Sequence, residues 1–290
     1  MPVLGRTNGE VAPGHKPGTV VLRRTLLHIG LVGGAVLVIF PFYWMIITAF
    51  KDLNEASRFP PTLWPQEWHP HNFIDAWKTA PFGRYFLNTL IVAGCQTLAV
   101  LITSTLAAYG FARFRFPGRN VLFVCFLGTM MVPLEVILVP NFVILKQLGW
   151  YDSYAGLIAP WAVNVFGIFL LRQWFLSIPQ ELYDAAEMDG CSWFGFLWRI
   201  GIPNSMPALI TVGLLSFLGA WNALLWPLIA TGRTEMRTLQ VGLASFQSEA
   251  YVEYHLWMAA ATFTIAPIVV LYLLAQRYFI EGVSGSGIKG

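Results

Sequence analysis

Six stretches of this chain are each long and apolar enough to cross a lipid bilayer, which leaves few architectures open to it. They fall at about 26–50, 84–110, 119–146, 153–174, 205–230 and 256–280, against the ~20 apolar residues a helix needs to span a hydrocarbon layer of ~30 Å. Only 11% of the 290 residues are charged and the mean hydropathy is +0.60. A soluble domain carries roughly a quarter charged residues, so a soluble core of this size would lack the polar surface to cover it. The sequence therefore predicts an all-α integral membrane fold with six transmembrane helices over residues 26–280. Prolines inside the spans (Pro41, Pro133 with Pro140, Pro227) predict kinks, because neighbouring helices and water re-satisfy the carbonyls that proline frees.

Residues 1–25 read as a disordered cytoplasmic leader. No small-residue cleavage site follows the first apolar run, so that run reads as a retained span. Residues 281–290 read as a short cytoplasmic tail. The formal net charge of +3 does not suggest nucleic acid. The three cysteines (Cys95, Cys125 and Cys191) are too widely separated for a zinc site or a disulfide framework.

Basic residues set the expected orientation. The short link between the second and third spans carries Arg113, Arg115 and Arg119 with no acid to offset them, and short loops weigh most in the positive-inside rule. Placing that link inside puts Arg6, Lys16, Arg23 and Arg24 inside as well and makes both termini cytoplasmic. Segment 51–83 then lies outside. Its Trp64, Trp68 and Trp77 suit either the headgroup level or an ordinary surface loop. Segment 231–255, with Arg233, Glu235 and Arg237, also faces outside, as a connecting loop or a docking surface.

The chemistry-bearing stretch is Ser177–Pro207, SIPQELYDAAEMDGCSWFGFLWRIGIPNSMP. Glu181, Asp184, Glu187 and Asp189 argue against burial in lipid, since one aspartate at a span centre costs about 2.5–3.5 kcal/mol. Local helix rules predict two short helices. Ser177 and Gln180 form a capping box with Pro179 in the first turn. Gly190 ends the first helix, Ser192 caps the second, and the second stops before Pro203. Small residues Ala185, Ala186 and Gly190 on one side would let such a hairpin seat in a partner's groove, with the acids meeting basic residues there. A plain interfacial hairpin is the alternative.

Asp184-Ala185-Ala186, Gly190, Ile200 and Ile202-Pro203 resemble the coupling-loop signature of bacterial importer permeases of the ATP-binding-cassette class. That signature is E-A-A, three residues, G, nine residues, I, one residue, L-P; here Asp184 and Ile202 replace the glutamate and the leucine. The resemblance runs from about residue 30 to the end and is nearest to the carbohydrate-uptake group of maltose, oligosaccharide and glycerol-phosphate permeases. Tyr109–Arg113, Phe116–Arg119, Gly167–Gln173, Trp221-Asn222, Leu225–Pro227 and the tail Gly285–Gly290 are similar to that group. It implies a type I importer permease fold with cytoplasmic coupling helices over 177–203, contacting an ATPase through Glu181, Asp184, Ala185, Ala186, Glu187, Asp189, Gly190, Ile200 and Pro203. It also implies a homologous second permease, two cytoplasmic ATPase subunits holding ATP and Mg, an extracytoplasmic solute-binding protein, a carbohydrate-type substrate and a bacterial inner membrane. In relatives the tail, here Gly287, Lys289 and Gly290, reaches the ATPase.

That tail is not a phosphate loop, because Ile288 precedes Lys289 and no Ser or Thr follows it. The chain itself is expected to bind no cofactor or metal and to catalyse no reaction. Trp221 and Asn222 suit either a translocation path or interhelical packing, and Asn164 faces the same choice. Glu135, the one acid inside a predicted span, suits either a functional intramembrane acid or, more simply, an acceptor for backbone N–H groups freed near Pro133 and Pro140. An ion-gradient carrier is the competing function. It predicts several ionisable residues near the midplane, where the sequence has Glu135 alone. His69 and His71 read as solvated.

Overall fold

A computed structural model describes residues 17–247 and 252–284. Helix α1 spans Pro17–Ala49, and short helices α2 (Leu53–Ala56) and α3 (Asn72–Thr79) lie in the segment that follows. Then come α4 (Phe82–Arg113), α5 (Arg119–Thr129), α6 (Leu134–Gln147), α7 (Tyr154–Ile158) and α8 (Val165–Ser177). Next are α9 (Gln180–Met188), α10 (Trp193–Phe196) and α11 (Ile202–Asn204), followed by α12 (Met206–Trp221), α13 (Leu225–Ala230), α14 (Leu239–Ala244) and α15 (Tyr254–Ser284). Three helices are unbroken spans: residues 24–49 of α1, all of α4, and residues 254–274 of α15. Counting each bent helix pair as one span brings the number to six.

The expected interruptions are present but sharper than kinks, and not at every expected proline. Where one span was predicted over 119–146, α5 and α6 meet at 98°. Pro133 stands in extended backbone at the N-cap of α6, and its ring also disfavours helical backbone at Val132. The predicted span at 153–174 consists of α7, a short 3-10 turn and α8, bent by 46°. The predicted 205–230 span stops at Trp221 and resumes at Leu225. Pro227 falls in the first turn of α13, where its missing N–H costs nothing. Helix runs without interruption through Pro41 and Pro140. Helix starts at Pro17, within the segment 1–25 expected to be a leader, and α15 extends to Ser284, into the expected tail 281–290; residues 1–16 and 285–290 lie outside the described residues.

The long helix α4 is the central post, packed along α8 and α12, while α15 crosses α1, α3 and α12. Close approach explains the α4–α8–α12 contact. A Cβ on Gly167 of α8 would stand 2.9 Å from Ser104 Oγ of α4 and 3.0 Å from Val212 Cγ1 of α12. Small residues at such crossings replace hydrophobic drive with van der Waals contact, because lipid tails are as apolar as the helices. One buried cluster surrounds Tyr109, Phe175, Tyr183 and Phe196; a second surrounds Phe82, Tyr85, Trp221 and Leu239; a third joins Leu145, Leu157 and Trp226. Leu31, Leu37 and Val38 on α1, and Leu98 and Ile102 on α4, stay exposed as lipid-facing side chains do.

Buried amides and one carboxylate fasten the loops at the end opposite the Arg113 end of α4. Asn72 Nδ2 donates to Ala49 O and Lys51 O at 2.9 and 2.8 Å. Asn88 Nδ2 donates to Glu235 O and Arg237 O at 2.7 and 2.9 Å, while its Oδ1 accepts from the Tyr154 hydroxyl at 2.7 Å. Asp152, in left-handed backbone with φ 60°, accepts from Arg233 Nε at 2.6 Å and from the Gly232 and Arg233 N–H groups. Burial alone would raise the Asp152 carboxyl, but the Arg233 side chain and those N–H groups outweigh it and hold it below the ordinary carboxylate range. These bonds tie segment 231–239 onto the ends of α4 and α7.

Candidate functional site

The hairpin of α9, α10 and α11 hangs from the junction of α8 and α12. Its entry differs from the expected capping box. Ser177 is the last residue of α8 and its hydroxyl donates to Trp174 O at 2.7 Å, leaving Pro179 as an N-cap without a side-chain bond. Gln180 is engaged elsewhere: its Oε1 accepts from Arg113 Nη1 and its Nε2 donates to Asp184 Oδ1, both at 2.9 Å.

The turn follows the expectation. Gly190 has φ +72°, and the Gly190 and Cys191 N–H groups donate to Glu187 O and Ala186 O, both at 2.9 Å. This pair of bonds is a Schellman motif, which needs a left-handed residue at the glycine position. Ser192 caps α10 by accepting from the Gly195 N–H at 3.1 Å. The second arm does not stop before Pro203. Backbone widens into a π turn over Leu197–Gly201, with Ile202 N bonding Leu197 O, and helix continues through Pro203 to Asn204. A π register changes which carbonyls need partners, so a proline just beyond it is accommodated.

Glu181, Asp184, Glu187 and Asp189 all face outward, as do Ala185 and Gly190. Ala186 instead points inward, buried with Tyr183 and Phe196, because successive helical residues diverge by about 100°. The expected small-residue face of Ala185, Ala186 and Gly190 is thus split. Ile200 packs partly against the same cluster, and Pro203 is exposed. Leu182, Met188, Trp193, Phe194 and Trp198 add exposed apolar surface beside the acids.

Two residues one helical turn apart on α4 hold the hairpin. Arg113 Cζ lies 3.0 Å from the centroid of the Tyr183 ring, and Arg113 Nη2 donates to Phe175 O and Ile178 O at 3.2 and 3.0 Å. Tyr183 stacks on Phe196 of the other arm at 3.8 Å between centroids. Tyr109 OH donates to Trp193 O at 3.1 Å. Burial pushes the Tyr183 phenol up, with the Arg113 charge opposing that shift. A groove of about 650 Å³ lies between α4 and the hairpin, lined by Tyr109, Arg113, Gln180, Tyr183, Glu187 and Trp193. Sequence reasoning placed Arg113 in a basic cluster and missed this role, although the Tyr109–Arg113 spacing of four puts both side chains on one helix face.

The path residues separate. Trp221 is buried, its Nε1 donating to Thr264 O at 3.3 Å and its ring stacked on Phe217 and edge-on to Phe86. Of its two readings, these contacts match interhelical packing. Asn164 caps α8, its Oδ1 accepting from the Gly167 N–H at 2.8 Å. Asn222 is exposed, accepts from Gln240 Nε2 at 3.3 Å, and lines a recess of about 450 Å³ with Gln96, Trp161 and Trp226. Glu135 lies in the first turn of α6, exposed, beside the expected backbone break. Among the described residues it accepts no freed N–H, which corrects that expectation. His69 and His71 stack edge-on at 5.4 Å, with His69 4.0 Å from Glu67. Gly287, Lys289 and Gly290 lie outside the described residues.

Bent apolar spans around a central post, with an acid-faced hairpin clamped to that post at one end, make this a polytopic helical membrane protein with a protruding hairpin. Residues 99–285 match the family model described as "Binding-protein-dependent transport system inner membrane component". The chain belongs to that family. It is 37% identical to the Probable ABC transporter permease protein YurM of Bacillus subtilis (strain 168), over 87% of this chain and 84% of that one. It is 35% identical to the Arabinooligosaccharides transport system permease protein AraQ of the same organism (88% and 92%). Against the sn-glycerol-3-phosphate transport system permease protein UgpE of Yersinia pestis bv. Antiqua (strain Antiqua) the identity is 34% (89% and 95%). The fold is also that of a solved chain from a bacterial ABC transporter involved in the import of the acidic polysaccharide alginate, with TM-score 0.79 and 23% identity over 92% of this chain and 100% of that one.

Proposed function

We propose that this chain forms half of the translocation path for a carbohydrate-type solute in an importer of a bacterial inner membrane. A homologous second permease supplies the other half, two cytoplasmic ATPase subunits bind ATP and Mg, and an extracytoplasmic binding protein delivers the solute. Both termini face the cytoplasm. The class of solute rests on what relatives carry in their names, arabinooligosaccharides and sn-glycerol-3-phosphate. The observation that carries the mechanism is the fastening of the hairpin to α4 through Arg113 and Tyr183.

A hairpin that transmits force must be stiff and anchored to what moves. Here the first arm is bonded to α4 by Arg113, the second arm by Tyr109, and the arms are joined by the Tyr183–Phe196 stack. Displacement of the outward acids Glu181, Asp184, Glu187 and Asp189 by an ATPase then rocks α4 together with α8 and α12. The α4–α8–α12 contact at Gly167 is too tight to slip, so the helices move as a body. About halfway along α4, the recess beside Asn222 and Gln96 offers amides for sugar hydroxyls and the half-buried Trp161 indole for a sugar face. Ala185, Gly190, Ile200, Pro203 and the tail residues Gly287, Lys289 and Gly290 belong to the ATPase side in this reading.

The test is solute uptake and ATP hydrolysis by the reconstituted assembly. Replacing Glu181, Asp184 and Glu187 with lysine should abolish uptake and dissociate or uncouple the ATPase. Uptake that persists after ATP depletion and follows an ion gradient would refute the proposal in favour of a carrier.

A further inference from the structure

The turn after α4 and the start of α5 present Arg115, exposed, and Arg119, half-buried, and Arg172 of α8 reaches α5, its Cζ 4.2 Å from the centroid of the Phe123 ring. Arg119 Nη1 donates to Phe114 O at 3.1 Å and Arg172 Nε to Phe111 O at 3.3 Å. Each guanidinium has five N–H donors, so most of theirs stay available. The ion pairs among the described residues are His69–Glu67 and Asp152–Arg233, and neither involves these arginines.

Two hollows open here and share both Arg115 and Arg119. One, of about 530 Å³, is lined by Arg115, Phe116, Gly118, Arg119, Asn120 and Val121. The other, of about 480 Å³, adds Ser177 and Gln180. Gly118 starts α5 in left-handed backbone with φ 79° and no side chain caps this end. Asn120 and Val121, whose N–H groups the first turn cannot satisfy internally, line the first hollow. The site therefore combines unneutralised positive charge with open backbone donors, the chemistry that binds phosphate.

Apolar surface decides where that phosphate comes from. The ends of α4 and α8 and the start of α5 are ends of candidate spans, where headgroups lie in any bilayer those spans cross, and Val121, Leu122 and Val124 are exposed over the first two turns of α5. A soluble phosphate would use only the polar floor, whereas a phospholipid uses the floor and lays its acyl chains along those side chains. We propose that Arg115 and Arg119, with the open start of α5, bind the headgroup phosphate of an anionic phospholipid. Arg172 adds positive field behind the site.

The transport assembly, purified through this chain, is titrated with phosphatidylglycerol or phosphatidylcholine and followed by native mass spectrometry. Phosphatidylglycerol should bind at least about fivefold more tightly, and Arg115→Gln with Arg119→Gln should weaken it about tenfold while leaving phosphatidylcholine unchanged. The Arg115→Lys, Arg119→Lys pair keeps the charge and should retain most of the binding. Millimolar inorganic phosphate should leave the lipid in place. Equal binding of the two lipids, undiminished binding by the glutamine pair, or displacement by inorganic phosphate would each overturn the assignment. Should the glutamine pair fail to assemble, salt decides on the unaltered protein: loss of phosphatidylglycerol at 0.5 M salt, a concentration on the order of three times physiological, supports the site, and full retention overturns it.

Discussion

Arg113 sits over the ring of Tyr183, its guanidinium carbon 3.0 Å from the ring centroid, while its nitrogens reach Gln180 and the carbonyls of Phe175 and Ile178. One side chain at the end of the central helix thus meets the end of α8, the entry of the hairpin and the hairpin's stacked core. A joint built this way transmits displacement in either direction.

Arg113→Ala should uncouple the transporter. Losing a partly desolvated cation–π contact and several charge-assisted hydrogen bonds costs about 2–3 kcal/mol. The expected outcome is uptake reduced about tenfold or more, with ATP hydrolysis persisting. Arg113→Lys should restore only part, because an ammonium cannot make the planar fork of bonds. The ratio of ATP hydrolysed to solute imported is the measurement, and an unchanged ratio would remove the joint.

Gly190 has open space around it, so size is not what its substitution offends. Its φ of +72° is. Gly190→Val should destabilise the turn by about 1–2 kcal/mol and Gly190→Asn by clearly less, since asparagine tolerates left-handed backbone. Thermal unfolding of the purified assembly orders the three; a valine variant as stable as the asparagine one would contradict the account.

The Asp152–Arg233 clasp predicts a pH dependence with a definite sign. Its folded carboxyl is held below its unfolded value of about 3.9. Its stabilisation is therefore fully present above that unfolded value and is lost as pH falls through the folded one. Asp152→Asn should lower the melting temperature at pH 7 and flatten its decline at acid pH. Equal acid sensitivity in both proteins would exclude the clasp.

Trp221 and Asn222 are neighbours with opposite expected phenotypes. Trp221→Ala empties a buried site and should cost about 3–5 kcal/mol, seen as lost assembly. Asn222→Ala or Gln96→Ala should leave assembly intact and raise the KM for uptake several-fold. A normal KM in both amide variants would remove the recess from the path.

Apolar runs and prolines made the membrane fold legible, because hydrocarbon demands both length and apolarity from each span. The breaks were less legible: Pro133 marks one, but nothing local distinguishes Asn222–Leu224 from an ordinary polar interruption. In the hairpin, Gly190 and Ser192 were readable because caps and left-handed turns are local chemistry. Ser177 was misread because its hydroxyl had two helices available and serves the preceding one. The fastening of Tyr183 by Arg113 was invisible, since it joins residues distant in sequence that only tertiary packing brings together.

On the proposed function, the acidic face of α9 is a cytoplasmic handle for a separate ATPase. Glu187→Cys, in a chain with Cys95, Cys125 and Cys191 replaced, can be probed with a membrane-impermeant maleimide and a short bifunctional crosslinker. The account predicts labelling in inside-out vesicles and not in intact cells, with crosslinking to the ATPase subunit that changes on ATP binding. Labelling from outside intact cells, or no crosslink to the ATPase in an assembly that actively transports, would contradict it.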